Sequence, residues 1–194
     1  MNQLVFATGN PHKIQEVNEI LRDRFHILSL KDIGCYEELP ETSPTIEGNA
    51  LEKARFVHQH FGKDCFAEDT GLEVRALGGE PGVFSARYAG AGKNAEDNTL
   101  KVLQKMDGVA DRRAQFRTVI ALILNGKEYI FEGIAPGTIR QKPSGTGGFG
   151  YDPVFQPGGF EVTFAEMPAF QKNKISHRGK AVQLLIEFLA GLSG

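Results

Sequence analysis

The amino-acid sequence predicts a mixed α/β fold with a largely antiparallel central sheet and flanking helices. Four segments place apolar residues at helical spacing, and short apolar runs at 4–7 and 65–67 predict strands. Residues 115–135 predict a long hairpin. Because two strands joined by a tight turn run antiparallel, we do not expect the wholly parallel sheet of a doubly wound fold.

The first predicted strand leads through a turn into a helix on which Ile14, Val17 and Leu21 share one face. Asn10 suits the N-cap of this helix. Pro11 suits its first turn, since proline gives up only an N–H that has no helical partner. Both residues therefore place the start of the helix at this point of the chain.

The middle of the chain is predicted to alternate helices with strands. Apolar spacing predicts one helix over 47–61 and another over 95–106. Between them, the run 65–67 is expected to form a short buried strand that leads into a turn at 68–72.

The hairpin and the last helix have the clearest local signals. Asn125 and Gly126 separate two β-rich runs, and both central residues of a type I′ turn need positive φ. The apolar positions from Ala181 to Leu189 follow the i, i+3, i+4, i+7, i+8 pattern of an amphipathic helix, and Gly191 is a natural stop.

Composition and charge exclude several classes of protein. A chain of 194 residues with 41% hydrophobic and 24% charged residues has enough apolar surface to bury a core, and it is not typical of a disordered protein. A net charge of −2 argues against binding to a nucleic-acid polymer, which usually requires a basic surface. We expect one domain over residues 1–194.

The lengths of the apolar runs, the N-terminal residues and the cysteine count predict a cytoplasmic protein that does not bind a membrane. No apolar run approaches the roughly 20 residues of a membrane span. The residues from Met1 to Val5 lack the basic and apolar segments of a signal peptide. Cys35 and Cys65 are too few for a disulfide framework, so a reducing compartment is the simpler interpretation.

The first candidate site is the turn at residues 8–13. Unpaired N–H groups and the positive end of a helix are expected to face this turn, and Lys13 adds a full positive charge, so that the turn suits a phosphate. It is not a Walker A loop, because that glycine and lysine pattern is absent. An ordinary strand–helix turn with a solvated lysine is the alternative.

The second candidate site combines two groups of carboxylates. One group precedes or begins the second predicted helix, and the other follows the strand at 65–67. Mg²⁺ prefers one or two carboxylates together with phosphate oxygens, so these acids and the phosphate turn support each other. Solvated acids that favour a helix dipole are the alternative. The acids are Glu37, Glu38, Glu41, Glu47, Glu68 and Asp69.

The third candidate site is the glycine-rich run at 145–150. It contains a literal G-x-G-x-x-G, but Pro153 prevents the helix that a dinucleotide fingerprint requires. We interpret the run as a loop that a ligand approaches closely, with Phe149 or Tyr151 as an aromatic face for a flat heterocycle. Packing of Phe149 in the core is the alternative.

The fourth candidate site is the basic run at 172–178, directly before the last predicted helix. Positive charges there oppose the helix dipole, and such a violation of a local rule often marks a functional site. Arg178 has a planar donor fork that suits a carbonyl or a phosphate. His177 is either part of this site or a structural hydrogen-bonding residue.

Together these motifs resemble the inosine/xanthosine triphosphate pyrophosphatases, the Ham1-like family. The resemblance covers residues 5–189, and Ser85-Ala86-Arg87-Tyr88 is similar to the prokaryotic members. The motifs occur in order at 8–13, 68–72, 78–82, 85–88, 147–155 and 176–178.

The resemblance implies hydrolysis of ITP, dITP and XTP to the nucleoside monophosphate and pyrophosphate with Mg²⁺. It also implies two lobes around a nucleotide cleft and a homodimer. Asp69 matches the proton acceptor and a metal ligand of the family, and Glu41 matches the acid that assists the metal. Glu38 is the substitute for Glu41, since Pro40 stands where a second acid is frequent.

The remaining site residues also follow from the resemblance. They match positions that contact the triphosphate or the rest of the substrate, with Phe149 expected to stack on the base and either Lys172 or Arg178 to donate to its 6-oxo group. These substrate-binding positions are Thr8, Gly9, Asn10, Pro11, His12, Lys13, Thr70, Phe149, Gly150, Tyr151, Asp152, Lys172, His177 and Arg178.

Two other functions are compatible with the same motifs. A phosphatase or kinase-like phosphoryl transferase would use the phosphate turn but release orthophosphate and a diphosphate. A nucleotide or RNA sensor without catalysis would tolerate neutral residues at Glu41 and Asp69, whereas this chain has an acid at each.

Overall fold

The computed structural model of the chain describes residues 3–21 and 25–192. Met1 and Asn2, on which part of the signal-peptide argument rests, lie outside the described residues. The helices are α1 (Pro11–Leu21), α2 (Ile46–Phe61), α3 (Ala95–Lys105), α4 (Ala169–Ile175) and α5 (His177–Gly191). The strands are β1 (Leu4–Phe6), β2 (Ile27–Leu28), β3 (Cys65–Val74), β4 (Pro81–Gly82), β5 (Arg113–Leu124), β6 (Lys127–Ile139) and β7 (Phe155–Pro157).

Within the described residues the seven strands form one mixed sheet, in the order β2-β1-β3-β5-β6-β7, with β4 paired to β3. β1 runs parallel to β2 and β3, while β3–β4 and β6–β7 are antiparallel. Asn125 and Gly126, the two residues between β5 and β6, have φ of 51° and 73°. These positive values are those of the predicted type I′ hairpin turn, so the hairpin and the mixed α/β class are confirmed.

The contacts of the chain divide it into two compact units. Each unit has its own apolar core, one around Phe6 and Phe66 and the other around Phe155 and Phe164. The predicted single domain over residues 1–194 is not tested by this division and stays a prediction. Unit one comprises Met1–Asp69, Thr118–Gly133 and Arg178–Gly194, and unit two comprises Thr70–Arg117 and Ile134–His177.

The turn predicted at residues 68–72 is wrong, because these residues lie inside β3. Phe66 pairs with β1 at one end of the strand, and Leu72 pairs with Gly82 of β4 at the other. Ladder hydrogen bonds at both ends keep the backbone extended through Gly71. The local sequence does not reveal this pairing, because the partner strands are distant in the chain.

The basic run at 172–178 also has a different setting from the predicted one. Lys172 and Lys174 lie in the last turn of α4, where cations favour the helix dipole. Ser176 has extended backbone dihedrals and separates α4 from α5. The predicted violation of the dipole rule is therefore wrong for the two lysines, and only His177 and Arg178 stand at the start of α5.

Other described features agree with the sequence. Asn10 caps α1, since its Oδ1 accepts from the N–H groups of His12 and Lys13 at 3.0 and 3.3 Å. Cys35 and Cys65 are buried and form no disulfide. In residues 3–21 and 25–192, every helix is too short or too polar to traverse a lipid bilayer.

We predict that Gly126→Ala lowers the free energy of unfolding by about 1 kcal/mol, because a side chain in the left-handed region is strained. Gly92→Ala is the matched control: both glycines have open space for a Cβ atom, but only Gly126 has positive φ. Urea denaturation of both variants gives the comparison. Equal stability of the two variants would contradict the proposed role of the turn.

Candidate active site

The turn between β1 and α1 is built from side-chain caps in unit one. Thr8 Oγ1 accepts from the N–H of Asn10 at 3.2 Å, and Asn10 Oδ1 accepts from His12 and Lys13. The expectation of unpaired N–H groups is therefore wrong for these three amides. Gly9, Pro11 and His12 are exposed, so the predicted phosphate turn faces solvent.

Lys13 supplies the positive charge of this turn from a largely buried position. Its side chain is 14% exposed, and its Nζ lies 3.6 Å from Glu68 Oε1. Burial lowers the pKa of Lys13, and the neighbouring charge of Glu68 offsets only part of that effect. A phosphate group bound at this turn would bring further negative charge to the ammonium of Lys13, in addition to that of Glu68.

The two acids predicted to hold a metal meet at one buried ammonium group. Lys53 Nζ donates to Glu41 Oε1 at 2.6 Å and to Asp69 Oδ1 at 3.1 Å. Burial lowers the pKa of Lys53, but the charges of Asp69 and Glu41 outweigh burial and raise it. Glu38, the substitute for Glu41, is exposed. The geometry thus brings together Glu41 and Asp69 as the sequence predicts.

Lys53 is a functional candidate that the sequence reasoning missed. It lies on the face of α2 that also buries Ala50, Ala54 and Val57, and it is 5% exposed. A charged residue within the apolar stripe of a helix is the signal that could have identified it, because such a residue needs a buried partner.

A buried ion network ties Arg178 of α5 to α1 and β3. The Nε of Arg178 lies 2.9 Å from Glu68 Oε1, and its Nη1 lies 2.5 Å from Glu16 Oε2. Burial raises the pKa of Glu68, but the charges of Arg178 and Lys13 outweigh burial and hold it below its ordinary value. Arg178 therefore keeps Glu68 ionised beside Lys13.

In unit two the predicted base-binding loop is organised by Asp152. Its Oδ2 accepts from the N–H of Phe149 at 2.8 Å and from Lys172 Nζ at 2.6 Å, and the side chain of Asp152 is buried. Lys172 Nζ lies 5.3 Å from the centre of the Phe149 ring. Gly148 permits this arrangement, because a Cβ atom there would lie 2.1 Å from Asp152 Oδ2.

The aromatic residues of unit two have distinct settings. Phe149 is half-buried, whereas Tyr151 is buried and donates its hydroxyl to the carbonyl of Ser85 at 2.8 Å. The ring of His177 is buried and stacks on the ring of Phe116, with 4.4 Å between the ring centres. Of the two aromatic faces considered for a heterocycle, Phe149 is the accessible one.

Thr70 and Gly150, the two remaining predicted positions, directly follow Asp69 and Phe149 in the sequence. Thr70 is half-buried in β3 and belongs to unit two, directly after Asp69 of unit one. Gly150 accepts a hydrogen bond from Thr99 Oγ1 at 3.4 Å. Unit one thus holds the predicted phosphate and metal residues together with Arg178, and unit two holds the predicted base-binding residues.

Comparisons with known proteins agree on one family. The Ham1 family model matches residues 4–188. The dITP/XTP pyrophosphatase of Flavobacterium johnsoniae is 58% identical over 96% of this chain and 97% of that protein. The one of Porphyromonas gingivalis is 53% identical over 97% of this chain and 98% of that protein.

Two solved structures are similar over almost the whole length. The Ham1 protein of Staphylococcus aureus has a TM-score of 0.90 at 38% identity and covers 98% of this chain and 99% of its own. A HAM1 protein of Coxiella burnetii has a TM-score of 0.91 at 36% identity and covers 98% and 100%. Both agree with the mixed α/β fold described above.

We predict that Arg178→Met lowers the free energy of unfolding at pH 7 by about 3–5 kcal/mol, because Glu16 and Glu68 would lose the buried cation that they share. Arg55→Met is the control: Arg55 also pairs with a glutamate, Glu128, but its side chain is 47% exposed, so its loss is expected to cost below about 1 kcal/mol. Chemical denaturation measures both.

The pH dependence gives a second check on the same network. The lowered pKa of Glu68 contributes stability above the ordinary glutamate pKa, which is lost as pH falls through the lowered value. In Arg178→Met the buried carboxylates would instead be relieved by protonation. The stability gap between the two proteins should narrow as pH falls, and a constant gap would contradict the network.

Proposed function

Because the chain belongs to the Ham1 family, we propose that it hydrolyses ITP, dITP and XTP to the nucleoside monophosphate and pyrophosphate, which removes deaminated purines from the nucleotide pool. Relatives named dITP/XTP pyrophosphatase, 43–58% identical over nearly the whole chain, support the reaction and its substrates. The structural observation that carries the proposal is the meeting of Glu41 and Asp69 at the ammonium of Lys53.

We propose Mg²⁺ as the cofactor, with Glu41 and Asp69 as its protein ligands. The donor set fits, since both residues offer the carboxylate oxygens that Mg²⁺ takes alongside phosphate oxygens, and the Glu41 side chain is 34% exposed. In the described part of the chain no third His, Cys, Asp or Glu joins them in a cluster. When bound, Mg²⁺ neutralises phosphate charge and polarises phosphorus for attack.

Asp69 is the proposed proton acceptor for the attacking water. The ammonium of Lys53 donates to Asp69 Oδ1 at 3.1 Å and so fixes the position of the carboxylate that would accept the proton. Lys13, held beside Glu68, provides positive charge toward the phosphates and stabilises the pyrophosphate that leaves. Each role uses a charge that the fold already holds in place.

Phe149 and Lys172 are proposed to recognise the base. Phe149 offers a face for stacking, and Lys172, held by Asp152, donates to the 6-oxo group of hypoxanthine or xanthine. Adenine has an amino donor at that position and cannot accept a hydrogen bond from Lys172, a mismatch that discriminates by about 10⁴–10⁵-fold at a well-built site. Arg178, already bound to two carboxylates, is the less suitable donor.

We propose further that the chain is a cytoplasmic homodimer that acts on free nucleotides. The dimer rests on the family resemblance. Two buried cysteines without a disulfide suit a reducing compartment, and the net charge of −2 does not favour a nucleic-acid polymer.

A pyrophosphate-release assay over a nucleotide panel tests the proposal. We expect equal amounts of pyrophosphate and monophosphate from ITP, dITP and XTP with Mg²⁺, little turnover of ATP, and none without the metal. Orthophosphate and a diphosphate as products would instead indicate a phosphatase or phosphoryl transferase. Binding of nucleotide without any hydrolysis would indicate a sensor.

We predict that Asp69→Asn lowers kcat for pyrophosphate release from ITP by about 10²–10⁴-fold, since the amide cannot accept the proton. Nucleotide binding should remain measurable by equilibrium dialysis. Asp107→Asn, at an exposed position after α3, makes the same chemical change and should leave turnover unaltered. Near-normal turnover of Asp69→Asn would remove this carboxylate from the reaction.

A further inference from the structure

The segment that carries Glu41 is fastened to α2 by a second carboxylate. Glu52 Oε2 accepts from the N–H of Thr42 at 2.7 Å and from the N–H of Ser43 at 3.3 Å. Glu52 Oε1 accepts from the hydroxyl of Thr42 at 2.9 Å. Three donors from the two residues after Glu41 thus converge on one side chain, which fixes the backbone next to that acid.

Asn49 joins the same segment to the other acid of the site. Its Oδ1 accepts from the N–H of Ser43 at 2.9 Å, and its Nδ2 lies 3.4 Å from Asp69 Oδ2. The side chain is 1% exposed and stands one helical turn before Lys53, which contacts both Glu41 and Asp69. The first half of α2 therefore contacts both Asp69 and the segment that carries Glu41.

The close seating of this segment also depends on Gly48. A Cβ atom at Gly48 would lie 1.9 Å from Ser43 Oγ and 2.8 Å from Thr45 Oγ1, so the segment and the start of α2 touch at the glycine backbone. Thr45 then caps the helix, since its Oγ1 accepts from the N–H of Gly48 at 3.0 Å. Thr42, Ser43 and Thr45 are thus each hydrogen-bonded to a residue of α2.

We propose that Asn49 and Glu52 are positioning residues that preset Glu41 and Asp69 for a divalent cation. The inference rests on the proposed function for the identity of the site. Neither side chain is assigned as a ligand: Glu52 acts through the backbone of Thr42 and Ser43, and Asn49 acts through Ser43 and Asp69. Partners behind a ligand typically alter metal affinity about 10–100-fold when removed.

The direct test measures metal binding without nucleotide. Free Mn²⁺ is quantified by electron paramagnetic resonance in titrations of the wild type, Asn49→Ala and Glu52→Gln. Both variants should weaken Mn²⁺ binding by roughly tenfold. Glu96→Gln is the matched control, because Glu96 is an exposed acid in the first turn of another helix, α3, and should leave the affinity unaltered.

A kinetic test separates positioning from a general loss of structure. In Glu52→Gln, the Mg²⁺ concentration for half-maximal pyrophosphate release should rise about tenfold, while kcat at saturating Mg²⁺ stays within about twofold of the wild type. Thr42→Val, which removes only the hydroxyl contact with Glu52, should give a smaller shift in the same direction and serves if Glu52→Gln fails to fold.

Unaltered Mn²⁺ affinity and Mg²⁺ dependence in the folded variants would overturn the inference. That outcome is distinct from failure of the proposed function, in which the wild type would release no pyrophosphate from any nucleotide. A wild type that binds Mn²⁺ more tightly than Asn49→Ala, yet hydrolyses nothing, would retain the positioning role and reject the reaction.

Discussion

The buried ammonium of Lys53 is the interaction on which the carboxylate site depends. Two acids as close as Glu41 and Asp69 repel each other, and a lysine buried without a partner would lose its charge. Placed together, the three groups compensate: the ammonium donates to both carboxylates, and they raise its pKa. The fold thereby holds Glu41 and Asp69 together at one buried ammonium group.

The same principle extends the site from α2 to α1 and α5. Glu68, next to Asp69 in β3, lies within ion-pair distance of both Arg178 and Lys13. An ionised Glu68 is tolerated in a buried position because two cations face it. Lys13, in turn, is left with less compensation than its burial requires, which suits it to an anionic substrate.

Unit two uses one carboxylate in a related way. Asp152 gathers the N–H of Phe149 and the ammonium of Lys172 on a single oxygen, so the aromatic face and the proposed donor are set together. Gly148 is required there by the approach of that oxygen and not by a dinucleotide. The glycine-rich run matches the sequence pattern of a dinucleotide-binding fingerprint, but its glycine at position 148 is explained by packing against Asp152.

The sequence by itself determined the features whose causes lie within a few residues. The cap by Asn10, the hairpin at Asn125 and Gly126, and the apolar stripes of the helices follow from short-range patterns, and the family motifs supplied the candidate site residues, which stay a prediction. It could not determine that residues 68–72 continue a strand, because the pairing with β1 and β4 that extends them comes from distant segments.

Only the tertiary structure decided which charges meet. Arg178 and Glu68 are 110 residues apart in the sequence, and nothing in the local sequence around either residue predicts their pairing. The position of Lys53 within the apolar stripe of α2 indicates that it needs a buried partner, but only the fold shows that this partner is Asp69 of β3. Burial is a property of the assembled chain, and it alone turns an ordinary surface charge into one that must find a partner.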